Sequence, residues 1–551
     1  MVLTTDINAQ DKVKPITWKR IVLDTNFRSE GVGVADVNKD GKLDVIVGDC
    51  WYESPKQPNG EWTRHILRAD RKFDLGVYSD SFCCFCDDFN GDGYPDVIVI
   101  PFPGNPCYWY ENPGAKGGLW KGHLLTNSAC NETPIFIDLF KTGKKHLVMG
   151  WQPQKDEKDI KKGNFNDRGE MCYFVPGKDP TQPWTRISIS GPGKGIPGTQ
   201  QFSHGLGHGD VNGDGRIDII VPQGWWEQPA KADGTPWTFH RAKYTDGKKE
   251  LDATPPCADM YTYDLDGDGK ADIVSSSAHN YGFWWSQQKD STSFVQRILF
   301  PDPYAVSKLP ASVKFTGDEK DMYDAVNRVR NDHFKRSPFA ANPVLCQMAH
   351  DHAVRIAKSG AKEENVQGQY PGKVLVVASK KIMLPADATK EPKKGELSPL
   401  QKFALSLLPD HDKDGDLVLP GFEVGVGAAK TDKGEMQYTL VIGDRKQFSL
   451  PSQTHALQMV DIDGDGMLDF VTGRRWWAHG PRGDAVPNDP AYLYWFEAKR
   501  GKDGMVTFTP HEIDNNSGVG TSFAIADMNG DGLPDVIVAN KKGVHVFLQV
   551  R

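Results

Sequence analysis

Short apolar runs alternate with turn signals along most of this chain. The runs VIVG, VIVI and IIVP are rich in β-branched residues and are bounded by Gly, Asp or Pro, which predicts short buried strands. Aromatic-led alternating segments follow them, for example WTRHIL from Trp62 and WKGHLL from Trp120. Several short strands per repeat with turns between them is the pattern of propeller blades. The hydrophobic pattern therefore predicts a mainly β fold.

A nine-residue polar loop, Asp-x-Asp/Asn-x-Asp-Gly-x-x-Asp, precedes six of the apolar runs. Oxygen side chains at positions 1, 3, 5 and 9, with Gly at position 6 for a sharp turn, suit a hard cation such as Ca²⁺. In calcium loops position 7 contributes a backbone carbonyl. We expect about six structural Ca²⁺ sites, with these ligands: Asp36, Asn38, Asp40, Lys42 and Asp44; Asp88, Asn90, Asp92, Tyr94 and Asp96; Asp210, Asn212, Asp214, Arg216 and Asp218; Asp264, Asp266, Asp268, Lys270 and Asp272; Asp461, Asp463, Asp465, Met467 and Asp469; Asp527, Asn529, Asp531, Leu533 and Asp535.

The spacing of the loops predicts seven units arranged in a ring. The long gap after the second loop contains a degenerate copy, DLFKTGKKH from Asp138 to His146, which we expect to form the hairpin without an ion. The last unit ends at VHVFLQVR without an aromatic-led outer strand, whereas WKRIVL from Trp18 precedes the first loop. Pairing of these two segments would cover an exposed strand edge. The prediction is a seven-bladed β-propeller closed by the N-terminal strand.

These loops and strands resemble the FG-GAP/VCBS repeat family, whose members are calcium-bearing propellers that include the integrin head. The resemblance covers roughly residues 15 to 300 and 450 to 551. It implies the fold and calcium binding, and much less the activity. The predicted propeller domains are 15–315, with blades 1 to 5 and the closing strand, and 448–551, with blades 6 and 7.

The hydrophobic pattern changes in residues 318–447, which predicts an inserted α/β domain. Helical spacing joins Met322, Val326 and Val329, and Asn342-Pro343 reads as the cap and first turn of a second helix. The segment ends in an alternating β-hairpin. It resembles the CAP superfamily (the cysteine-rich secretory protein and pathogenesis-related fold) in its NRVR and MAHDHAVRIA helices and in EENV. The resemblance implies a cleft with Glu364 and His411 at two of the family's His/Glu positions, whereas His352 is expected at the edge of the core.

Composition narrows the classes of partner. The formal charge is −8, and the acidic loops account for much of the acid, so the charge reads as ion ligation. No Lys/Arg run is dense enough for nucleic-acid binding, and no apolar run has the length of a membrane span. The first fifteen residues lack the apolar core of a signal peptide. Either the protein is cytosolic or the sequence is a processed form; because such loops bind Ca²⁺ with affinities useful outside cells, we expect the second, a secreted or periplasmic protein whose signal has been removed.

Candidate chemistry lies where the first strand of each unit begins, at the end of the unit opposite the loop. Six residues before each first Asp stand Glu30, Phe82, Glu132, His204, Ala258, His455 and Thr521, with Asp259 beside them. The segment TGRRWWAHGPRGD adds Arg474 and His479. We expect His204, His455, Asp259, Glu132, Arg474 and His479 to form an acid–base site or to hold one further divalent cation. The alternative is a polar, water-filled channel mouth.

Three functions remain open. The leading hypothesis is recognition of an extracellular glycan or protein at the central face, with the CAP-like insert as a second recognition surface. The segments SHGLGHGD, TGRRWWAHGPRGD and HEIDNNSGVGTS are also similar to the propeller part of aldos-2-ulose dehydratase, a sugar lyase. That resemblance implies β-elimination on a keto-sugar or uronic acid at the channel mouth, with His204 or His455 as the base and a cation or Arg474 stabilising the enolate. The third hypothesis is hydrolysis in the CAP-like cleft.

Overall fold

The structure is a computed structural model. It describes residues 15–153, 168–242, 244, 257–279, 282–300, 313–332, 339–359, 373–385, 387–390, 392–393, 396–408, 423–444, 453–481, 484, 487, 489–501 and 504–551. The fold is mainly β, as predicted. Within the described residues no helix is both long and apolar enough to cross a membrane.

Most of the strands pair in antiparallel groups of four, here called units 1 to 7 in chain order. In each unit the chain runs back and forth, so that every strand pairs with the next. The bounds are β1 (Thr17–Asp24), which belongs to unit 7; β2 (Gly33–Ala35), β3 (Asp44–Ile46), β4 (Cys50–Glu53) and β5 (Thr63–Ile66) in unit 1; β6 (Cys83–Asp87), β7 (Asp96–Ile100), β8 (Cys107–Glu111) and β9 (Lys121–Thr126) in unit 2; β10 (Ile135–Ile137), β11 (His146–Trp151), β12 (Glu170–Val175) and β13 (Thr185–Ser188) in unit 3; β14 (Gly207–Gly209), β15 (Asp218–Val221), β16 (Gly224–Glu227) and β17 (Thr238–Arg241) in unit 4; β18 (Met260–Tyr263), β19 (Asp272–Ser276), β20 (Phe283–Asp290) and β21 (Ser293–Phe300) in unit 5.

The chain then leaves this pattern and returns to it. The inserted elements are α1 (Gly317–Asp332), β22 (Ala340–Ala341), α2 (Pro343–Ser359), β23 (Lys373–Ile382), α3 (Pro399–Leu407), β24 (Glu423–Lys430) and β25 (Met436–Asp444). The later strands are β26 (Leu457–Val460), β27 (Asp469–Gly473), β28 (Leu493–Arg500) and β29 (Val506–Asp514) in unit 6, and β30 (Phe523–Ala526), β31 (Asp535–Asn540) and β32 (Gly543–Val550) in unit 7.

Unit 7 is completed from the other end of the chain. Strand β1 pairs antiparallel with β32, from Thr17 opposite Val550 to Asp24 opposite Val544. The predicted pairing of the N-terminal strand with the last unit is therefore confirmed. First strands also contact the first strands of neighbouring units, as in β2 with β6, β2 with β30 and β18 with β26, and β14 pairs in parallel with β18.

Aromatic side chains fill the space within and between the units. Trp109 and Trp225, on the third strands of units 2 and 4, are almost fully buried. Four units share an outer arrangement in which a Trp of the third strand stacks on a His of the fourth strand, at ring-centroid distances of 4.2 to 4.5 Å: Trp51 with His65, Trp109 with His123, Trp225 with His240 and Trp495 with His511. In unit 6 the sequence pair Trp476-Trp477 lies in a loop instead, because β28 begins later, at Leu493.

The insert has its own core around a four-stranded sheet in the order β22, β24, β25, β23. Helix α2 packs on β24 and β25, and Asn342 Oδ1 accepts hydrogen bonds from the amides of Val344 and Leu345. The predicted helices and hairpin are confirmed. His352 is fully buried rather than at the core edge, with Nδ1 3.2 Å from Thr439 Oγ1. The sequence positions Glu364 and His411 lie outside the described residues.

Candidate metal centre

The polar loops share one backbone conformation, which connects the first two strands of each unit. In unit 2 the carboxylate of Asp88 accepts hydrogen bonds from the amides of Gly91, Asp92 and Gly93, at 2.7 to 3.1 Å. Positions 4 and 6 have positive φ, 78° at Gly91 and 86° at Gly93, which glycine adopts without strain. The loop therefore folds its own oxygen atoms toward one point.

The degenerate loop of unit 3 keeps this geometry with different chemistry. Asp138 accepts from the amides of Thr142 and Gly143, and Lys141 adopts φ 55° at position 4. Positions 3, 5 and 9 are Phe140, Thr142 and His146, so two of the carboxylates are replaced by groups that are poor ligands for a hard cation. The predicted hairpin is confirmed here.

In the six acidic loops, the donors fit calcium. The ninth-position Asp is buried in each, and in unit 2 its two oxygens accept from the amides of Phe89 and Asn112. Burial and, to a smaller extent, the nearby Asp92 and Asp88 raise the pKa of Asp96 to about 7, although the two backbone hydrogen bonds oppose this shift. The carboxylates of this loop therefore lie close together, and no basic side chain contributes to the pKa shift of Asp96. In units 5 and 6, oxygen atoms of Asp264, Asp266 and Asp272, and of Asp461, Asp463 and Asp465, lie within 4.8 Å of one another.

A second cluster, of nitrogen donors, lies at the opposite end of the units. Here the chain enters the first strands and leaves the second strands. His204 precedes β14, His455 precedes β26, and His279 follows β19 in unit 5. One nitrogen atom from each of these imidazoles lies within 4.8 Å of the others. The rings meet edge to face, with the centroid of His204 at 4.7 Å from that of His279 and 5.2 Å from that of His455.

Burial disfavours the protonated form of each of these three imidazoles. Burial lowers the pKa of His279 to about 4, and it also depresses the pKa of His204 and, most strongly, that of His455. Both ring nitrogens of His455 and Nε2 of His279 are buried, and neither residue makes a hydrogen bond through these atoms within the described structure. A neutral imidazole nitrogen with no proton partner is the form that binds a transition metal.

An ion-pair network lies beneath the imidazoles. Arg475 donates to Oε2 of Glu132 and to Oε1 of Glu30, both at 2.8 Å. Glu132 lies 3.9 Å from Nε2 of His204 and 3.8 Å from Nε2 of His455. Burial opposes ionisation of Glu132, but His204 and the Arg475 guanidinium outweigh it, so its pKa lies below the ordinary value. Arg475 thus fixes an anionic carboxylate beside two of the imidazoles.

A fourth imidazole stands at the rim. His479 lies in the loop between β27 and β28, and its ring centroid is 4.7 Å from that of His279. Its amide donates to Asp484 at 2.8 Å, and Nδ1 lies 3.6 Å from the same carboxylate oxygen. The side chain is 35% exposed, whereas those of His204 and His455 are nearly inaccessible. His479 is therefore more accessible to a bound molecule than His204 or His455.

Backbone strain is concentrated around this cluster. Six described non-glycine residues have positive φ, and two of them, Lys39 and Lys141, are at position 4 of polar loops. Three of the others, Asn131, Gln453 and Trp477, are within two residues of Glu132, His455 and His479. Such conformations cost roughly 1–3 kcal/mol each and collect at functional sites. The strain marks the cluster independently of its chemistry.

The cluster opens into a cavity of about 580 Å³. Its wall comes from Tyr78, the glycine-rich segment 195–198, Gln200, Phe202, Gln223 and Arg241, and its floor from Glu132, His204, His279 and His479. His204 is followed by Gly205 with φ 76°, where an added Cβ would approach a carbon of Pro222 to 2.7 Å. Only glycine fits there, so the backbone holds His204 close to its neighbours.

The structure brings together four of the six residues singled out from the sequence: His204, His455, Glu132 and His479. Two do not join them. Asp259 lines a separate cavity, where its carboxylate accepts a hydrogen bond from the amide of Leu457. Arg474 is buried 3.7 Å from Asp489 and is not among the residues that line the cavity of the histidine cluster.

Sequence reasoning missed His279 and gave Arg474 the place that Arg475 takes. The fixed offset from the polar loops reaches only the starts of the first strands, whereas second strands run antiparallel to them and end on the same side. His279 follows β19 in the segment SAHN, so an inspection of second-strand ends would have found it. The choice between adjacent arginines depends on which one faces the channel, and no sequence signal decides that.

Comparison with known proteins gives limited matches. A family model described as FG-GAP-like repeat matches residues 461–538, which include the polar loops of units 6 and 7. No curated protein matches the chain. Among solved structures, an Agrocybe aegerita lectin that recognises non-reducing terminal N-acetylglucosamine is 16% identical, with a TM-score of 0.29, over 52% of this chain and 68% of that one. A Penicillium chrysogenum alpha-L-arabinanase complexed with arabinobiose is 9% identical, with a TM-score of 0.29, over 51% of this chain and 86% of that one.

Proposed function

We propose that the protein is a calcium-stabilised, closed seven-bladed β-propeller with a metal-dependent carbohydrate lyase or dehydratase site at its histidine end. The observation that carries the enzymatic part is the cluster of three imidazoles, His204, His279 and His455, at the floor of an open cavity. Three histidines with an open position are a ligand set of catalytic zinc sites.

The ring arrangement is supported by hydrogen bonds between successive units. The amide of Glu30 donates to Ser81 O, that of Glu132 to Ser203 O, and that of Thr454 to Ser277 O, which links units 1 to 2, 3 to 4 and 5 to 6. The amide of Thr521 donates to Glu30 O, which links unit 7 back to unit 1. With β1 in unit 7, a closed propeller leaves the fewest unpaired edges. The insert, residues 318–447, is then a separate domain on this ring.

Calcium is proposed for the six acidic loops, and the donor set supports it. Each loop offers carboxylate or amide oxygens at positions 1, 3, 5 and 9 on a backbone that converges by itself. Loops of this kind in extracellular modules bind Ca²⁺ with dissociation constants of roughly 10⁻⁴ to 10⁻³ M. At millimolar calcium the sites would be filled, which fits a secreted or periplasmic protein.

The histidine centre is proposed to hold a transition metal such as Zn²⁺. Imidazole nitrogens suit zinc, copper, iron and nickel, whereas calcium prefers oxygen. Bound there, the metal would supply Lewis-acid stabilisation of negative charge on a substrate oxygen. Glu132, fixed by Arg475, stands within 4 Å of two ligands and would hold their orientation as a carboxylate partner.

The protein's own residues would handle the proton. His479 is reachable from the cavity and is oriented by Asp484, so it would abstract the proton from the carbon next to a carbonyl or carboxyl group. The electron pair of that C–H bond forms a carbon–carbon double bond, and the C–O bond at the next carbon breaks. The leaving oxygen then takes a proton, from the protonated His479 or from water. The reaction is a β-elimination.

The test is activity together with metal content. The full chain, loaded with Zn²⁺ and kept in millimolar Ca²⁺, is incubated with oxidised sugars and polyuronates while the ultraviolet absorbance of a new double bond is followed. Loss of turnover in His279→Ala and His479→Ala, with zinc lost in His279→Ala and retained in His479→Ala, supports the assignment. Absence of turnover across the panel, with zinc bound, contradicts the lyase.

The second candidate is recognition of an extracellular glycan without turnover. Phe202 favours it, because this cavity-lining side chain is 47% exposed and offers an apolar face on which a sugar ring can stack. The insert would be a second recognition surface. In the same hypothesis the ligand is a protein instead of a glycan. Glycan binding that needs Phe202 and persists without any product would favour this candidate. Hydrolysis in the insert remains an expectation, since its two expected residues lie outside the described structure.

A further inference from the structure

We propose that the ligand of the cavity is an acidic sugar, a uronate residue of a glycan, whose carboxylate is bound by Arg241. This inference rests on the proposed lyase function, and it selects one of the two substrate classes left open there. The observation behind it is an arginine that has no acceptor among the described residues and lies on the wall of a cavity whose floor is the histidine centre.

Arg241 is the last residue of β17, and its exposed side chain lines the cavity. It forms no hydrogen bond or ion pair with the described part of the chain. Arg475 makes the contrast: both of its terminal nitrogens are used by Glu132 and Glu30. A guanidinium presents a fork of donors that fits a carboxylate with two parallel hydrogen bonds. Arg241 is therefore available for an anion that enters the cavity.

The rest of the wall fits a sugar. Oε1 of Gln223 is buried without a hydrogen-bond partner in the described structure and can accept from a hydroxyl group. Phe202 offers an apolar face for the C–H groups of a ring. A uronate has a hydroxyl, an apolar face and a carboxylate on one ring, so it can satisfy Gln223, Phe202 and Arg241 together. A neutral sugar leaves Arg241 unpaired.

The lining does not repel an anion. The carboxylate at the floor is Glu132, which is already engaged by Arg475. Chemistry also favours a carboxylate here. When the proton next to a carboxylate leaves, negative charge develops on the carboxylate oxygens, and a guanidinium in contact with them stabilises that charge more in the transition state than in the ground state. Arg241 would thus contribute to binding and to the elimination step.

The experiment measures binding separately from turnover. Calorimetry on the full chain with calcium and zinc uses trisaccharides of galacturonate, mannuronate and glucuronate, each beside its neutral counterpart of galactose, mannose or glucose. We expect at least one acidic trisaccharide to bind about tenfold or more tightly than its neutral counterpart. Arg241→Gln should remove that preference, and Arg241→Lys should restore part of it, because lysine keeps the charge and loses the fork.

Arg297→Gln is the matched control, since Arg297 is an exposed arginine on the fourth strand of unit 5 and lies outside this cavity. It should leave the preference unchanged. The proposal is overturned if neutral and acidic trisaccharides bind alike, if none of the acidic ones binds at millimolar concentration, or if Arg241→Gln keeps the preference. If the parent protein prefers the acidic trisaccharides but does not turn them over, the result contradicts the lyase and still supports recognition of the carboxylate. Absence of zinc binding by the parent protein would contradict the proposed metal centre.

Discussion

The two ends of the β units concentrate ligand atoms in opposite ways. At the loop end, oxygen donors come from one continuous nine-residue segment, range from exposed to buried within each loop, and recur six times. At the histidine end, nitrogen donors come from units 4, 5 and 6, are mostly buried, and occur once among the described residues. A site that is repeated and local can stabilise each unit. A site assembled from several units exists only when the units are held together, and it is the place where a single specific function can arise.

Removal of calcium from the loop end should have the largest effect on the stability of the protein. With a dissociation constant of ~0.1 mM and ~1 mM ion, each loop contributes about 1.4 kcal/mol, so six loops contribute on the order of 8 kcal/mol. That is comparable to the net stability of a whole domain. We expect excess EGTA to lower the melting temperature sharply and added Ca²⁺ to restore it. An unchanged melt in EGTA would show that the loops do not staple the fold with calcium.

Arg475→Met should have the next largest effect, because it leaves Glu30 and Glu132 buried without their shared partner. Removing one member of a buried ion pair costs about 3–5 kcal/mol. The free energy of unfolding is measured in urea at constant millimolar Ca²⁺, with Arg297→Met as the control. Adding Glu30→Gln to Arg475→Met should recover part of the loss. Equal stability of Arg475→Met and the parent protein would contradict the network.

His455→Gln should weaken zinc binding at the histidine end without changing calcium binding at the loop end. We expect zinc affinity to fall by roughly tenfold or more, since loss of ligand-sphere partners commonly costs that much, while the calcium-dependent rise in melting temperature stays the same. Zinc binding is measured by competition with a chromogenic chelator. His65→Gln on an outer strand is the control, because His65 stacks on Trp51 far from the cluster. Unchanged zinc affinity in His455→Gln would remove this residue from the site.

The smallest effect distinguishes an acidic loop from the degenerate one. Asp88→Asn should lower the calcium-dependent stabilisation by about 1.4 kcal/mol, the contribution of one site. Asp138→Asn alters the equivalent residue, which also accepts two backbone amides. It should weaken the protein equally with and without calcium. A calcium-dependent loss in Asp138→Asn would mean that unit 3 binds an ion after all.

The loop end could be predicted almost completely because its determinants are local. Asp88 and Gly93 specify a turn within nine residues, and that turn forms in the same way wherever the pattern occurs. The pairing of β1 with β32 was also predictable, since an outer strand is missing at one end of the repeat and present at the other. The helices of the insert followed from their spacing.

The histidine end could be predicted only in part, because its determinants are distant in sequence. His204 and His455 could be found from their fixed offset before the polar loops. His279 belongs to a different connection, and its approach to them depends on how three units pack. Residue types do not determine whether Arg474 or Arg475 faces the cluster, nor whether Asp259 reaches it. Both depend on the local backbone direction.

The pairing of β1 with β32 has a consequence for synthesis on the ribosome. Thr17 is synthesised more than five hundred residues before its partner Val550, so β1 lacks that partner while the segment between them is translated. At about 5–20 residues per second the delay is roughly half a minute to two minutes. Units 1 to 6 can fold as they emerge, whereas the first strand is an unpaired edge throughout. The step most exposed to misassembly is therefore the pairing of β1 with β32, which requires that units 1 to 6 have already emerged.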